Sequence, residues 1–224
     1  MAWTLWARSP AREERGVSLF DEEYWEERYQ TAAAVWSGEP NRQLVAETAE
    51  LAPGTALDAG SGEGSDAVWL AGRGWRVTAV DFARTALERG AQAATAAGVA
   101  DRIDWVHADL RSWTPAEQYD LVSAQFFHLA PPERGTVFAT LAGAVAPGGR
   151  LLVVGHDVSD LESGAHRPHA PERFFTATEV AASLDPAEWE VVAAATRRRP
   201  ALDHEAEHHG VTVADTVLVA RRLS

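Results

Sequence analysis

The sequence predicts an α/β fold, a doubly wound and mostly parallel sheet with a helical lid at its N-terminus. Three observations predict it. Between residues 55 and 155, short β-branched or apolar runs alternate with helical stretches of about ten to fifteen residues, the pattern of βαβ units. A glycine-rich turn joins the first such run to the first such helix. The tail then abandons the alternation for two strands with only a polar segment between them, an antiparallel pair at a sheet edge.

In chain order, Phe20 to Ala34 spaces Phe20, Tyr24, Trp25 and Tyr29 at helical intervals, with Asp21 placed to cap. Gly38-Glu39-Pro40-Asn41 breaks that helix, and Asn41 can cap a second running to about Leu51. Pro53-Gly54 ends it, so residues 1–52 are expected to form a lid and 53–224 a Rossmann-like core, together one domain. Thr55–Ala59 is the first strand and Ser65–Arg73 the first core helix, stopped by Gly74. Arg76–Val80 reads as a buried parallel strand. Arg84–Ala97 is helical; Ile103–Ala108 and Tyr119–Gln125 are strands. A helix over Glu133–Ala146 stops at Pro147-Gly148-Gly149, and Leu151–Gly155 is the fifth strand. Thr178–Leu184 is a short helix, and Trp189–Thr196 and Val211–Ala220 form the final pair, five parallel strands and two antiparallel ones in all.

Composition narrows the chemistry. Cysteine is absent, which excludes disulfides, thiolate metal sites and a cysteine nucleophile. Lysine is absent too, excluding a Schiff base, and the all-arginine usage fits a GC-rich bacterial source. A formal charge of -13 opposes nucleic acid as a partner. Arg197-Arg198-Arg199 is the one basic run inside the chain and reads as a solvated strand end. No apolar run is long enough for a signal peptide core or a membrane span, so a cytoplasmic protein, monomer or homodimer, acting on a small molecule is expected.

The turn reads Leu57-Asp58-Ala59-Gly60-Ser61-Gly62-Glu63-Gly64. Close glycines let a backbone approach a ligand, and the following helix offers free N–H groups. Dinucleotide sites use a similar loop, but Ser65 stands at their third glycine position. Asp58, at the strand end beneath the loop, suits a cationic amino group and opposes a pyrophosphate. Asp81 closes the second strand 21 residues after Gly60, where it can accept from both hydroxyls of a ribose. Asp109 follows the third strand, in reach of an adenine amino group, with the Leu110 N–H for a ring nitrogen and Phe82 for the ring face. Each carboxylate could be a helix cap, but the set of three shares one explanation.

These segments, with Val77-Thr78-Ala79-Val80-Asp81, Tyr119-Asp120-Leu121-Val122 and Ala146-Pro147-Gly148-Gly149, resemble in order the motifs of class I S-adenosylmethionine-dependent methyltransferases. Tyr24-Trp25-Glu26-Glu27-Arg28-Tyr29 and Trp189-Glu190-Val191-Val192 resemble the tellurite-resistance and thiopurine methyltransferase group within them. The resemblance covers roughly residues 20 to 222. It implies S-adenosylmethionine as cofactor, S-adenosylhomocysteine as product, and strand order 3-2-1-4-5-7-6 with strand 7 antiparallel. It also implies that Gly60, Ser61, Gly62, Glu63 and Gly64 wrap the methionyl part, that Asp81 holds the ribose, and that Gln125 lies near the sulfonium.

For the acceptor, a thiol or a chalcogen oxyanion needs little beyond alignment, whereas a hydroxyl or amine benefits from a base. His128 and His156 are the candidate bases. Gln125-Phe126-Phe127-His128 stands where nucleic-acid amino-methyltransferases carry an acidic or amide residue, two prolines and an aromatic; that signature is absent, which argues against DNA or RNA as acceptor, and Phe126 is a candidate acceptor contact. Tyr24, Trp25 and Trp36 are expected in the lid, facing a sulfonium by cation–π attraction, with Arg28 toward the donor carboxylate. His204 is a candidate acceptor contact. It lies with Asp203, Glu205, Glu207, His208 and His209 in a loop whose spacing matches no closed metal site, as does that of His166 and His169, so no metal is expected. The competing readings are an O- or N-methyltransferase with a histidine base, a nicotinamide-dependent oxidoreductase, and a non-catalytic donor-binding protein. Asp58 opposes the second, and the complete carboxylate series opposes the third.

Overall fold

The computed structural model describes residues 21–127, 129–162, 170–201 and 211–224. Its elements are α1 (Glu22–Thr31), α2 (Arg42–Thr48), β1 (Thr55–Ala59), α3 (Ser65–Gly72), β2 (Arg76–Asp81), α4 (Arg84–Ala96), β3 (Ile103–His107), β4 (Tyr119–Gln125), α5 (Glu133–Gly143), β5 (Val145–His156), α6 (Ala177–Ala181), β6 (Trp189–Pro200) and β7 (Thr212–Arg222). The seven strands run β3-β2-β1-β4-β5-β7-β6. β1 to β5 pair in parallel, and β7 lies antiparallel to both β5 and β6. Fold class and strand order are as expected from the sequence.

Local chemistry sets the helix starts. The Asp21 side chain accepts the Tyr24 N–H at 2.9 Å, and Asn41 accepts that of Gln43 at 2.8 Å, each satisfying an otherwise orphaned donor. Thr176 and Glu179 form a reciprocal capping box on α6.

Alternation along each strand sorts the core into two layers. Leu57, Val80, Val122, Val153 and Leu218 pack beneath α5, against Val137, Phe138 and Leu141. Ala56, Val77, Leu121, Leu152, Val154 and Val217 pack on the other face against Leu44, Ala67 and Leu70. Each fully buried Leu or Val contributes roughly 1.5–3 kcal/mol from transfer out of water. A third cluster seats Tyr24, Trp25 and Tyr29 of α1 on Ala83 and Ala86 at the start of α4.

Two expectations need correcting. β5 begins at Val145 rather than Leu151, because Val145 still pairs with Tyr119 and the register shifts before Leu121 meets Arg150. The Pro147-Gly148-Gly149 turn is thus an irregularity inside a strand, not its boundary. Arg197-Arg198-Arg199 stands at the end of β6 with Arg198 exposed, but the run is only partly solvated, since Arg197 donates to Gln43 at 2.9 Å and to Glu47 at 2.6 Å, and Arg199 to Asp215 at 2.9 Å.

Candidate active site

Side chains two apart on a strand share a face. Asp58 therefore lies on the side of Ala56, Asp81 on that of Ala79, Gln125 on that of Leu121, His156 on that of Val154, and Asp215 on that of Val217. Polar groups thus collect at one end of one sheet face. They border a cavity of about 960 Å³ that opens where the strand order reverses between β1 and β4, the usual ligand crevice of such sheets.

The glycine loop is tied to β2. Gly60 and Ser61 donate to the Val80 carbonyl at 2.8 and 3.0 Å, and Gly62 donates to Asp81 Oδ2 at 2.9 Å. Asp81 Oδ1 takes the Ala83 N–H at 2.8 Å. Gly60, Gly62 and Gly64 all have φ between +52° and +77°. At Gly64 the requirement is also one of space, since a Cβ there, or on Gly90 of α4, would collide with the Trp105 indole. Gly64 thus serves helix-to-sheet packing.

Beneath this loop three carboxylates crowd together. Asp58 is buried, and its Oδ2 has no hydrogen-bond partner among the described residues. Burial pushes its carboxyl well up, and Asp66 and Asp81 push it further, against the Ala67 N–H. Burial raises Asp66 to about 6, although the Asn41 N–H bonds it at 2.6 Å. Burial raises Asp81 as well, with the Ala83, Gly62 and Phe82 N–H groups pulling back. An uncompensated carboxylate cluster in a cavity wall fits a cationic partner. A donor with an ammonium group and a ribose meets that chemistry, whereas a pyrophosphate does not.

Other expected contacts lie elsewhere than foreseen. Glu63 borders the cavity, and its carboxylate is held within the fold: its Oε2 accepts the Val35 and Trp36 N–H groups at 3.0 and 3.1 Å, and its Oε1 meets Arg89. Asp109 borders the cavity but is held by Arg111 at 2.6 Å; burial works to raise it, and the Arg111 bonds outweigh this and keep it low. Tyr24 is 1% exposed in the α1 cluster, edge-on to Trp25, and does not border the cavity. Arg28 does not border it either; its guanidinium lies over the Trp25 and Trp36 rings at 5.5 and 5.7 Å. Trp25, Trp36, Phe82, Leu110, Gln125, Phe126 and His156 do border it. His128 and His204 lie outside the described residues.

The deep end has its own character. Gln125 donates to Ser123 Oγ at 2.7 Å, and its Oε1 is buried with no partner among the described residues. Phe126 holds a left-handed φ of 50°, a cost a non-glycine residue meets at few places outside functional sites. Its ring packs 4.7 Å from that of His156, which lies 5.9 Å from Phe174.

Sequence reasoning missed Tyr29, Asp66, Phe127, Arg173, Arg199 and Asp215, all of which border the cavity. Asp215 carried a signal, a charge inside the apolar run Val213-Ala214-Asp215-Thr216-Val217. Among the described residues, no cluster of three or more His, Asp or Glu could hold a metal, and no helix is long and apolar enough to cross a membrane.

With this geometry in view, residues 56–149 match the family model described as "Methyltransferase domain". That segment, from β1 into β5, carries the likeness to methyltransferases. The chain is 28% identical over 145 residues to a probable thiol methyltransferase 2 of Arabidopsis thaliana, covering 62% of this chain and 64% of that one. It is 34% identical over 110 residues to a tRNA 5-carboxymethoxyuridine methyltransferase of Escherichia coli, 47% of this chain and 41% of the relative. The match thus spans under two thirds of either relative's length. Among solved structures, one from work on conversion of a disulfide bond into a thioacetal group during echinomycin biosynthesis superimposes with a TM-score of 0.72 at 21% identity, covering 90% of this chain and 91% of the other. The N-methyltransferase NodS from Bradyrhizobium japonicum, in complex with S-adenosylhomocysteine, gives 0.67 at 19%, covering 91% and 100%.

Proposed function

We propose that the protein transfers the methyl group of S-adenosylmethionine to a small-molecule acceptor, with a thiol the leading class. The observation that carries the donor is Asp58, a buried carboxylate with a vacant acceptor oxygen under the glycine loop. In this reading Asp58 faces the donor ammonium and Asp81 the ribose hydroxyls. Phe82 and Leu110 flank the adenine, and Asp109 reaches it from its Arg111 clamp. The bound donor supplies an activated methyl on a sulfonium. The chain supplies alignment and exclusion of water: Trp25, Tyr29 and Trp36 close the cavity from the lid side, and Gln125 and Phe126 floor it where the methyl would be transferred. The segment 1–52 acts as the lid and 53–224 as the core.

The likeness to a named thiol methyltransferase favours a soft nucleophile. A second reading, O- or N-methylation with His156 as general base, is favoured by that ring's position on the cavity wall beside Phe126. The formal charge of -13 favours a small molecule over the tRNA used by one relative, and a cytoplasmic site of action fits a small-molecule enzyme.

The deciding experiment is an acceptor screen that follows S-adenosylhomocysteine release with thiols, selenite, tellurite, phenols and amines. Turnover confined to thiols supports the leading reading. Turnover confined to phenols or amines, lost in His156→Ala, supports the second. No methyl transfer to any class with a bound donor contradicts both.

A further inference from the structure

Asp215 stands where a charge is least expected, in the middle of β7 with 2% exposure. It pairs across the ladder with His156 on one side and Arg197 on the other, so all three side chains share the face that bears the cavity. Its Oδ2 is fully engaged: Gln43 Nε2 donates at 3.0 Å and Arg199 Nε at 2.9 Å. Its Oδ1 is buried, has no partner among the described residues, and belongs to a residue on the cavity wall. A buried carboxylate oxygen left without a donor is destabilising, and a ligand N–H or O–H would relieve it. Its neighbours are fixed by long-range bonds, since Gln43 and Glu47 of α2 also receive Arg197. The carboxylate is therefore held at this wall from two sides.

Three of the four arginines that border the cavity meet carboxylates, and Arg42 is the fourth. Arg199 pairs with Asp215 at 2.9 Å, Arg111 with Asp109 at 2.6 Å, and Arg173 meets Glu172 at 3.8 Å. An anionic acceptor beside Asp215 would find the adjacent cation, Arg199, already matched to that carboxylate, and a carboxylate oxygen that repels it. A neutral N–H or O–H would find an acceptor with a lone pair to spare.

We infer that Asp215 is a specificity-determining residue of the acceptor subsite, selecting an uncharged acceptor that donates an N–H or O–H to its Oδ1. Oxyanions and carboxylates are thereby rejected. This rests on the donor reading above and narrows its acceptor.

The test uses the full chain with S-adenosylhomocysteine bound and a matched set of probes: para-mercaptobenzyl alcohol, para-ethylthiophenol and para-mercaptobenzoate, with selenite as the inorganic anion. Calorimetric binding of each, and turnover with S-adenosylmethionine, are measured on wild type, Asp215→Asn and Asp215→Ala. The alcohol is expected to bind roughly ten- to hundredfold more tightly than the benzoate, with the ethyl compound between them. In both variants the alcohol-to-benzoate ratio should fall toward one while S-adenosylhomocysteine still binds, which also reports that they fold. Equal or tighter binding of the benzoate or selenite by wild type, an unchanged ratio in the variants, or binding of none of the probes overturns the assignment of Asp215 and leaves the donor reading intact. Failure of S-adenosylhomocysteine itself to bind wild type overturns the donor reading and this inference together.

Discussion

Arg89 Nη1 lies 2.7 Å from Glu63 Oε1, joining α4 to the glycine loop. The same guanidinium donates to the Tyr29 and Ala32 carbonyls at 2.6 and 2.7 Å, while Glu63 holds the Val35 and Trp36 N–H groups. One ion pair thus latches the end of α1 and the segment after it onto the loop. Arg89→Ala removes the latch and leaves a largely covered carboxylate. We expect it to lower stability by about 1–3 kcal/mol and to weaken S-adenosylhomocysteine binding, with kcat less affected than KM for the donor. Thermal denaturation and donor titration check both; unchanged donor affinity would show the latch to be purely structural.

Gly90 offers a test in which two effects have opposite sign. Ala is the better helix former by up to ~1 kcal/mol, so propensity alone predicts that Gly90→Ala stabilises α4. A Cβ there would collide with the Trp105 ring, and overpacking costs about 1–3 kcal/mol. We expect net destabilisation in chemical denaturation, relieved when Trp105→Leu is added.

The crowded carboxylates predict a pH dependence. Asp58, Asp66 and Asp81 are all raised, Asp66 to about 6, so the folded state binds protons that the unfolded chain has released. The contribution of Asp66 is therefore fully present below the ordinary carboxylate range and is lost as pH rises through about 6, and those of Asp58 and Asp81 have the same sign. The ammonium group that S-adenosylhomocysteine shares with the donor prefers the ionised cluster, so the ligand's stabilising effect should grow over the same window. Melting temperatures with and without S-adenosylhomocysteine across that range test the sign; a ligand effect that shrinks with rising pH would contradict it.

Asp81 has a double duty, holding the Gly62 and Ala83 N–H groups and standing where a ribose would be bound. Asp81→Ala should weaken S-adenosylhomocysteine by roughly ten- to hundredfold, from loss of hydrogen bonds worth about 1–3 kcal/mol. Titration of the variant measures it directly.

What was legible in the sequence follows from what is local. Hydrophobic period, caps and glycine stops are read from neighbouring residues, and they located every strand and helix named here, with the boundary errors at β5 and β6. The positions of Asp58, Gly62 and Asp81 at a strand end or turn were legible for the same reason. The partners of Glu63, by contrast, were not legible, because Val35, Trp36 and Arg89 are brought to it only by the fold. The Arg197 and Arg199 contacts were invisible likewise, since Gln43 is 154 residues from Arg197 and 172 from Asp215. Charge counting treats such arginines as solvated, whereas tertiary structure pairs them.

The central claim is the donor. Calorimetric titration of the purified chain with S-adenosylhomocysteine and, separately, with NAD tests it most directly, using Asp58→Asn as control. The account predicts one-site binding of S-adenosylhomocysteine, none of NAD, and loss of most of that affinity in the variant. NAD binding as tight as S-adenosylhomocysteine, or no binding of S-adenosylhomocysteine, would contradict it.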